Sequence, residues 1–268
     1  MDSQAAEHPF TSVDRQPNPG AWVSCLKRLS DEPFYRDYKR RVADLLEARP
    51  GGRYLDVGAG TGTGARELAA TAGCSVIALD HSHTMACACR AIGVSAVVGD
   101  AGRLPFGDQC FNGCWADRVF QHLPEPGQAL QEMLRVVQPG GRLVVVDPDY
   151  DTQVMELPDQ ELARRVLRFR ADCLLRHGTI AHRMPAMFAD AGVGGIRFDS
   201  MTLVVQDAGT VDNVMGLRSW AQAAVASGCL TGGDVQRWEQ LYDQTVNSGR
   251  FLYAVTFFIT SGTRSADS

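Results

Sequence analysis

Three aspartates follow three short apolar runs: Asp56 after Tyr54-Leu55, Asp80 after Ser75 to Leu79, and Asp100 after Ala96 to Gly99. Asp56 opens the spacing Asp-x-Gly-x-Gly-x-Gly, with glycines at Gly58, Gly60 and Gly62. Such a turn brings backbone N–H groups close to a ligand and starts a helix whose free N-terminus faces it. It departs from the dinucleotide fingerprint, which needs a third glycine where Thr63 stands and an apolar residue where Asp56 stands. A carboxylate at that strand end repels a pyrophosphate and attracts an ammonium group. Asp80 is placed to accept from both hydroxyls of a ribose, and Asp100 from an exocyclic amine such as that of adenine. For each carboxylate the alternative is a helix N-cap or a loop acceptor.

A ligand with an amino-acid end, a ribose and an adenine but no phosphate is S-adenosylmethionine. The elements that must position the three carboxylates follow from the alternation of short apolar runs with helical segments, the mark of a parallel sheet covered on both faces. Strands are expected at 54–57, 75–79, 96–99, 111–116, 143–146, 196–205 and 251–260. Helices are expected at 65–72, 84–92, 127–137, 158–176, 183–191 and near 234–247. Pro139-Gly140-Gly141 stops the third of these helices, and the apolar strand Leu143 to Val146 belongs at the sheet centre.

The stretches "YLDVGAGTG" from Tyr54, "IALDHS" from Ile77, "VVGDAGRLPFGDQCFN" from Val97, "CWADRVFQHL" from Cys114 and "EMLRVVQPGGRLVVVDP" from Glu132 keep one order and spacing over Arg53 to Pro148. Together they resemble the class I, seven-stranded S-adenosylmethionine-dependent methyltransferases of the small-molecule type. "HRMPAMFADAGV" from His182 is similar to that family's late helix. The resemblance implies an α/β fold: a doubly wound, mostly parallel seven-stranded sheet with helices on both faces and an N-terminal helical lid. It divides the chain into a tail and lid at 1–50, a methyltransferase domain at 51–262 with a substrate-side insertion near 207–233, and a tail at 263–268. It also implies that Gly58, Ala59, Gly60 and Gly62 line the cofactor's methionine part and that Asp80 holds its ribose. Asp100 and Ala101 would face adenine, with His81 and Met85 packing nearby, and Asp117 and Arg118 would run beside the sulfonium.

The implied reaction moves a methyl group from S-adenosylmethionine to an O, N or C centre of a small-molecule metabolite, leaving S-adenosylhomocysteine; specialised, natural-product metabolism is the expected setting. Two alternatives stay open: a cofactor-retaining cyclase or isomerase on the same fold, and a non-catalytic S-adenosylmethionine-binding protein. Displacement at a sulfonium needs mainly proximity and alignment, and a base only if the acceptor must lose a proton. His122 and Asp147, near the carboxyl ends of the fourth and fifth strands, are the candidate catalytic residues. In some similar sugar and phenol methyltransferases a His in this segment works with an acid at the fifth strand's end; here Gln121 replaces one of the family's paired His positions. Arg118 suggests a hydrogen bond to the cofactor carboxylate or to an acidic substrate. Trp22, Phe34, Tyr35 and Tyr38 belong to the lid, and Trp220 to a second substrate wall. His177, His182, Arg164, Arg165, Arg168 and Arg170 read as a solvated face.

Composition supports these readings by exclusion. The 268 residues are 45% hydrophobic and 21% charged, a balance that rules out disorder and fibrous repeats. A net charge of -5 offers no general attraction to phosphate backbones or anionic lipid, so a nucleic-acid or membrane partner is not expected. The longest apolar run, Phe251 to Ile259, is too short to span a bilayer, and Met1 to Gly20 lacks the basic and apolar regions of a secretory signal. The eight cysteines read as reduced, largely buried thiols in a cytoplasmic monomer or homodimer. Neither Cys87/Cys89 nor Cys110/Cys114 has zinc-site spacing, and no metal is expected.

Overall fold

The computed structural model describes residues 9–207 and 216–266. Seven strands, β1 (Arg53–Val57), β2 (Ser75–Asp80), β3 (Ser95–Val98), β4 (Phe111–Asp117), β5 (Val137–Met155), β6 (Val193–Val205) and β7 (Tyr253–Arg264), form one sheet in the order β3-β2-β1-β4-β5-β7-β6. The first five run parallel; β7 is antiparallel to both β5 and β6. The sheet is therefore the expected mostly parallel, doubly wound type. Chain order reverses between β1 and β4, and in open α/β sheets ligands collect at the carboxyl ends of the strands beside such a switch. Val57 is in register with Leu79 and with Ala116, so the residues that follow, Gly58, Asp80 and Asp117, stand level along that edge.

Before the sheet come α1 (Pro19–Asp31) and α2 (Pro33–Leu46), each with proline in its first turn; Asn18 caps α1 by accepting from the Ala21 N–H. Within and after the sheet lie α3 (Thr63–Ala72), α4 (His83–Ala91), α5 (Pro126–Val136), α6 (Gln160–Phe169), α7 (Ile180–Asp190), α8 (Leu217–Ala226) and α9 (Gly232–Asn247). Alternation along the strands makes two cores. Tyr54, Val144 and Val146 pack with α2, α3, α6, α8 and α9, whereas Leu55, Val57, Leu143 and Val145 pack with α5 and α7. No helix among the described residues is long and apolar enough to cross a membrane.

Several boundaries differ from expectation. The fifth strand extends well beyond Val146, because its antiparallel partner β7 continues the ladder to Met155↔Tyr253 across an irregularity between Asp149 and Val154. The expected helix 158–176 is α6 followed by a π-helical turn at Arg170–Leu174. Strand β7 runs to Arg264, into the segment read as a tail. Of the segment read as a lid, α2 packs into the core: its Tyr35 and Tyr38 are buried against Phe257 of β7, with Tyr38 stacked at 5.4 Å. The insertion read as irregular contains α8; its residues 208–215, like 1–8 and 267–268 of the two tails, lie outside the described residues.

Candidate active site

Strand β1 delivers Asp56 to the α2/α3 side of the sheet, beside Trp115 of β4. Its carboxylate is 4% exposed, lines a cavity, and accepts no hydrogen bond from any described residue. Burial, reinforced by the negative charges of Asp117 and Asp80 and opposed by Lys39, pushes its pKa well above the usual carboxylate range. Just beyond, the Gly58 and Ala59 N–H groups donate to the Leu79 carbonyl at 2.7 and 3.0 Å, folding the glycine turn onto the end of β2. Gly58 has φ +72 and Gly62 φ +74, and neither site has room for a side chain: a Cβ would run into Val119 at the first and come 2.8 Å from the Cys89 sulfur at the second. Gly62 also begins α3 without a side-chain cap, leaving the first-turn N–H groups of that helix at the cavity.

Asp80 supports the same turn from below. Its Oδ2 accepts from the Gly60 N–H at 2.8 Å, and its Oδ1 from the Ser82 N–H at 2.9 Å. Burial raises its pKa against those bonds and the nearby His81. His81 is half exposed, its Nδ1 3.5 Å from Asp80. Ser82 caps α4 through the Met85 N–H, which buries Met85 against the cavity. Asp14 has no mark in its neighbouring residues. Its carboxylate accepts from the Ser82 hydroxyl and from the His83 and Thr84 N–H groups at 2.8–3.1 Å, which ties the N-terminal segment to α4. Burial opposes ionisation there, but the hydrogen bonds from Thr84, Ser82 and His83 prevail and hold its pKa at about 2. At the outer rim Asp100 is exposed and accepts from the Gly102 N–H at 2.8 Å, next to buried Ala101.

Asp117 and Arg118 stand where β4 ends. Arg118 adopts φ +58, uncommon for a residue with a side chain, and its N–H donates to the Val146 carbonyl at 2.7 Å. Its Nε is 3.2 Å from Asp117 Oδ1, and its guanidinium covers the Tyr35 ring at 4.9 Å. The Tyr38 hydroxyl donates to Asp117, lying 2.8 and 2.9 Å from the two carboxylate oxygens. Burial, partly offset by Arg118, pushes the Tyr38 phenol well above its ordinary value; the same balance pushes Tyr35 up to about 12. Both phenols stay neutral donors at physiological pH.

Behind Tyr35 the cavity continues between Tyr150, Arg170, Trp220 and Phe257, and its whole volume is about 1220 Å³. Arg170 contradicts the solvated-face reading: it is 7% exposed, its guanidinium 3.6 Å over the Trp220 ring and 4.5 Å over Tyr150. Arg164, Arg165 and Arg168 are exposed as expected. His182 is exposed as expected, and its Nδ1 lies 2.6 Å from the fully buried Asp149. His177 is partly buried, and burial lowers its pKa. Of the cysteines, Cys89 and Cys114 are buried, whereas Cys87, Cys173 and Cys229 are exposed. No three His, Cys, Asp or Glu side chains among the described residues form a metal-binding group.

The two residues singled out for catalysis are separated. His122 follows β4 in a short 3-10 turn and lines the cavity, its ring 6.5 Å from Phe10. Asp147 does not line it. Val144, Val146 and Tyr150 occupy the cavity side of β5, so strand alternation turns Asp147, with Leu143 and Val145, to the opposite face. There its carboxyl is 1% exposed and meets the Gln121 N–H at 3.4 Å. Burial, opposed by that N–H, raises its pKa well above the usual range.

A family model described as a methyltransferase domain matches residues 55–145, the span from β1 into β5. Over 244 residues the chain is 36% identical to an uncharacterized 37.1 kDa protein in transposon TN4556 of Streptomyces fradiae, covering 88% of this chain and 70% of that one. The chain belongs to the class I S-adenosylmethionine-dependent methyltransferases. This methyltransferase is also 43% identical over 119 residues to demethylmenaquinone methyltransferase of Renibacterium salmoninarum, covering 44% of this chain and 50% of that enzyme. It thus spans about half the length of that relative. Among solved structures it superposes on phosphoethanolamine N-methyltransferase 2 of Haemonchus contortus, in complex with phosphomonomethylethanolamine and S-adenosylhomocysteine. The TM-score is 0.62 at 13% identity, over 96% of this chain and 60% of that one, a likeness of fold.

Proposed function

We propose that this enzyme transfers a methyl group from S-adenosylmethionine to a small molecule, with the cofactor in the glycine–aspartate half of the cavity and the acceptor in the aromatic half. The observation that carries the reading is continuity: Asp56, Gly58, Asp80 and Asp100 line the same cavity as Tyr35, Tyr150 and Trp220. At about 1220 Å³ it exceeds the roughly 300–1,000 Å³ of a typical small-molecule pocket, which leaves room for a cofactor and a second molecule together. The demethylmenaquinone methyltransferase that the chain resembles over 119 residues is named for a small-molecule acceptor, which supports the reading.

The residues fit this cofactor. A buried carboxylate that takes no hydrogen bond from any described residue, Asp56, suits a cationic ammonium group, and ion pairing would return it to the ionised state. The turn Gly58-Ala59-Gly60, with Gly62, lets the backbone come close to a ligand, and a Cβ added at Gly58 or Gly62 would collide with Val119 or Cys89. Asp80 accepts one hydrogen bond on each oxygen, which leaves acceptor capacity for a diol. Asp100 at the rim, with Ala101 and Met85 as apolar walls, suits an adenine. When bound, the cofactor supplies a methyl group already activated on a sulfonium. The chain's own contribution is alignment and exclusion of water by Trp22 and Leu26 of α1, Tyr35 of α2 and Phe257 of β7. If the acceptor must lose a proton, His122 is positioned to take it. Asp147 has no part in that step.

Incubation of the purified protein with S-adenosylmethionine carrying a labelled methyl, over a panel of phenols, amines and acidic heterocycles, tests the reading by mass spectrometry. A product heavier by one methyl, with S-adenosylhomocysteine formed in equal amount, supports it. Calorimetry showing no S-adenosylhomocysteine binding contradicts it.

A further inference from the structure

We infer that Cys173 and Cys229 form a redox pair, and that their oxidation by a peroxide joins two walls of the aromatic half of the cavity through a disulfide. The consequence for the acceptor rests on that half being its site; the bond itself does not. Cys173 belongs to the π-helical turn Arg170–Leu174, and Cys229 follows α8. Both are exposed, and the Cys173 thiol is hydrogen-bonded to the Cys229 side chain. Backbone bonds hold each in place. The Leu175 N–H donates to the Arg170 carbonyl at 3.3 Å, which closes the π turn, and the Cys229 N–H donates to the Ala224 carbonyl at 2.9 Å, which closes the end of α8. Two further contacts press these elements together. Arg165 of α6 donates from Nη2 to the Cys229 carbonyl at 3.3 Å while pairing with Asp234 of α9 at 3.0 Å, and the Arg170 guanidinium lies 3.6 Å over the Trp220 ring of α8. The exposed Cys87 differs, since its sulfur has the His83 ring beside it at 3.7 Å.

A redox-sensing cysteine is solvent-accessible and stands beside a second thiol that resolves its oxidised form, and this pair meets both conditions. Burial, helped by the neighbouring Cys229 and Asp172 side chains, raises the Cys173 pKa. A thiol that keeps its proton is a poor nucleophile, which gives Cys173 the resolving role and makes Cys229 the sulfur that reacts first. The Cys229 sulfur attacks one oxygen of the peroxide, the O–O bond breaks, and a sulfenic acid forms with release of one water. The Cys173 sulfur then attacks the Cys229 sulfur, the S–O bond breaks, and the departing hydroxide takes the Cys173 proton as a second water. Two thiols have lost two electrons and two protons, and one hydrogen peroxide has become two waters. The new bond joins the turn that carries Arg170 and Leu174 to the helix that carries Trp220 and Ala223, all four of which line the cavity. The strand ends and the glycine turn of the cofactor half lie on other elements and are left as they were.

The test treats the full, reduced chain with hydrogen peroxide under native conditions, blocks the remaining thiols with iodoacetamide and maps the unreduced digest by mass spectrometry. A pair of peptides joined through Cys173 and Cys229 is expected, about 2 Da lighter than the two free-thiol peptides together and parted by dithiothreitol. Cys173→Ser should leave Cys229 as a sulfenic acid that dimedone traps, and Cys229→Ser should leave Cys173 a free thiol; neither should change S-adenosylhomocysteine affinity. Amide hydrogen exchange should slow in α8 and the π turn of the oxidised protein and stay unchanged in α3. Both cysteines recovered as alkylated thiols, or oxidised singly without a link, overturn the pair, and equal exchange of α8 in the two redox states overturns its hold on the cavity wall. Failure of both redox states to bind S-adenosylhomocysteine would instead overturn the cofactor reading, on which the disulfide map does not depend.

Discussion

The glycine–aspartate half of the cavity is made by the ends of three neighbouring strands, whereas the aromatic half is assembled from α2, the end of α6, β5 and α8, segments far apart in the chain. In the first half the ligand surface is mostly backbone and short acids, held by bonds such as Gly60 to Asp80. In the second it is large side chains held by packing and by a few long-range bonds such as Tyr38 to Asp117. A surface built from backbone tolerates almost no substitution, while one built from packed side chains can be remade residue by residue. Cofactor binding should therefore be brittle, and acceptor binding tunable.

The largest expected effect comes from Gly58→Ala. A positive φ costs a residue with a Cβ about 1 kcal/mol, and the collision with Val119 adds overpacking of about 1–3 kcal/mol. The melting temperature should fall, and S-adenosylhomocysteine affinity should drop by more than about a hundredfold in calorimetry. Asp80→Ala comes next: it strips acceptors from the Gly60 and Ser82 N–H groups, each worth about 1–3 kcal/mol when left unpaired, so affinity should fall at least about tenfold. Unchanged affinity would break the assignment of this half.

Asp56→Asn sharpens the contrast by separating stability from binding. Folding raises the Asp56 pKa above its ordinary value of 3.8. Its contribution to stability is thus fully present only below that value and is lost as pH rises through the folded value. Without cofactor the Asn variant should melt a few degrees higher than wild type at neutral pH, and it should bind S-adenosylhomocysteine more weakly. Wild-type affinity should also rise with pH through the raised pKa, a dependence that the variant lacks. Tyr38→Phe, in the aromatic half, removes one donor to Asp117 while Arg118 remains, so a stability loss of about 1 kcal/mol with S-adenosylhomocysteine affinity nearly intact is expected from chemical denaturation. The smallest effect belongs to Asp147→Asn. With the carboxyl outside the cavity and its pKa raised, turnover should stay within about twofold of wild type.

The same contrast explains what could be read in advance. Asp56, Gly58, Gly60, Gly62, Asp80 and Asp100 announce themselves because a strand end, a tight turn and a helix start are local events with local residue signatures. Asp14 caps a helix 68–70 residues away, and Tyr38 meets Asp117 at a separation of 79, so nothing in their neighbouring sequence marks the partners. Periodicity alone places two further residues. Asp147 is an odd-numbered neighbour of Leu143 and Val145, which period-two alternation puts on one face, away from Tyr150. Arg170 lies two residues from Arg168, about 200° around a helix, but four from Val166, on the buried stripe. Cys173 and Cys229 are exposed, which composition does not report.

A crystal structure of the enzyme with S-adenosylhomocysteine tests the division of the cavity most directly. The amino-acid end is expected at Asp56, the ribose on Asp80, the adenine between Met85 and Ala101, and the sulfur open toward Tyr35. A ligand seated against Tyr150 and Trp220, or a ribose away from Asp80, would contradict it.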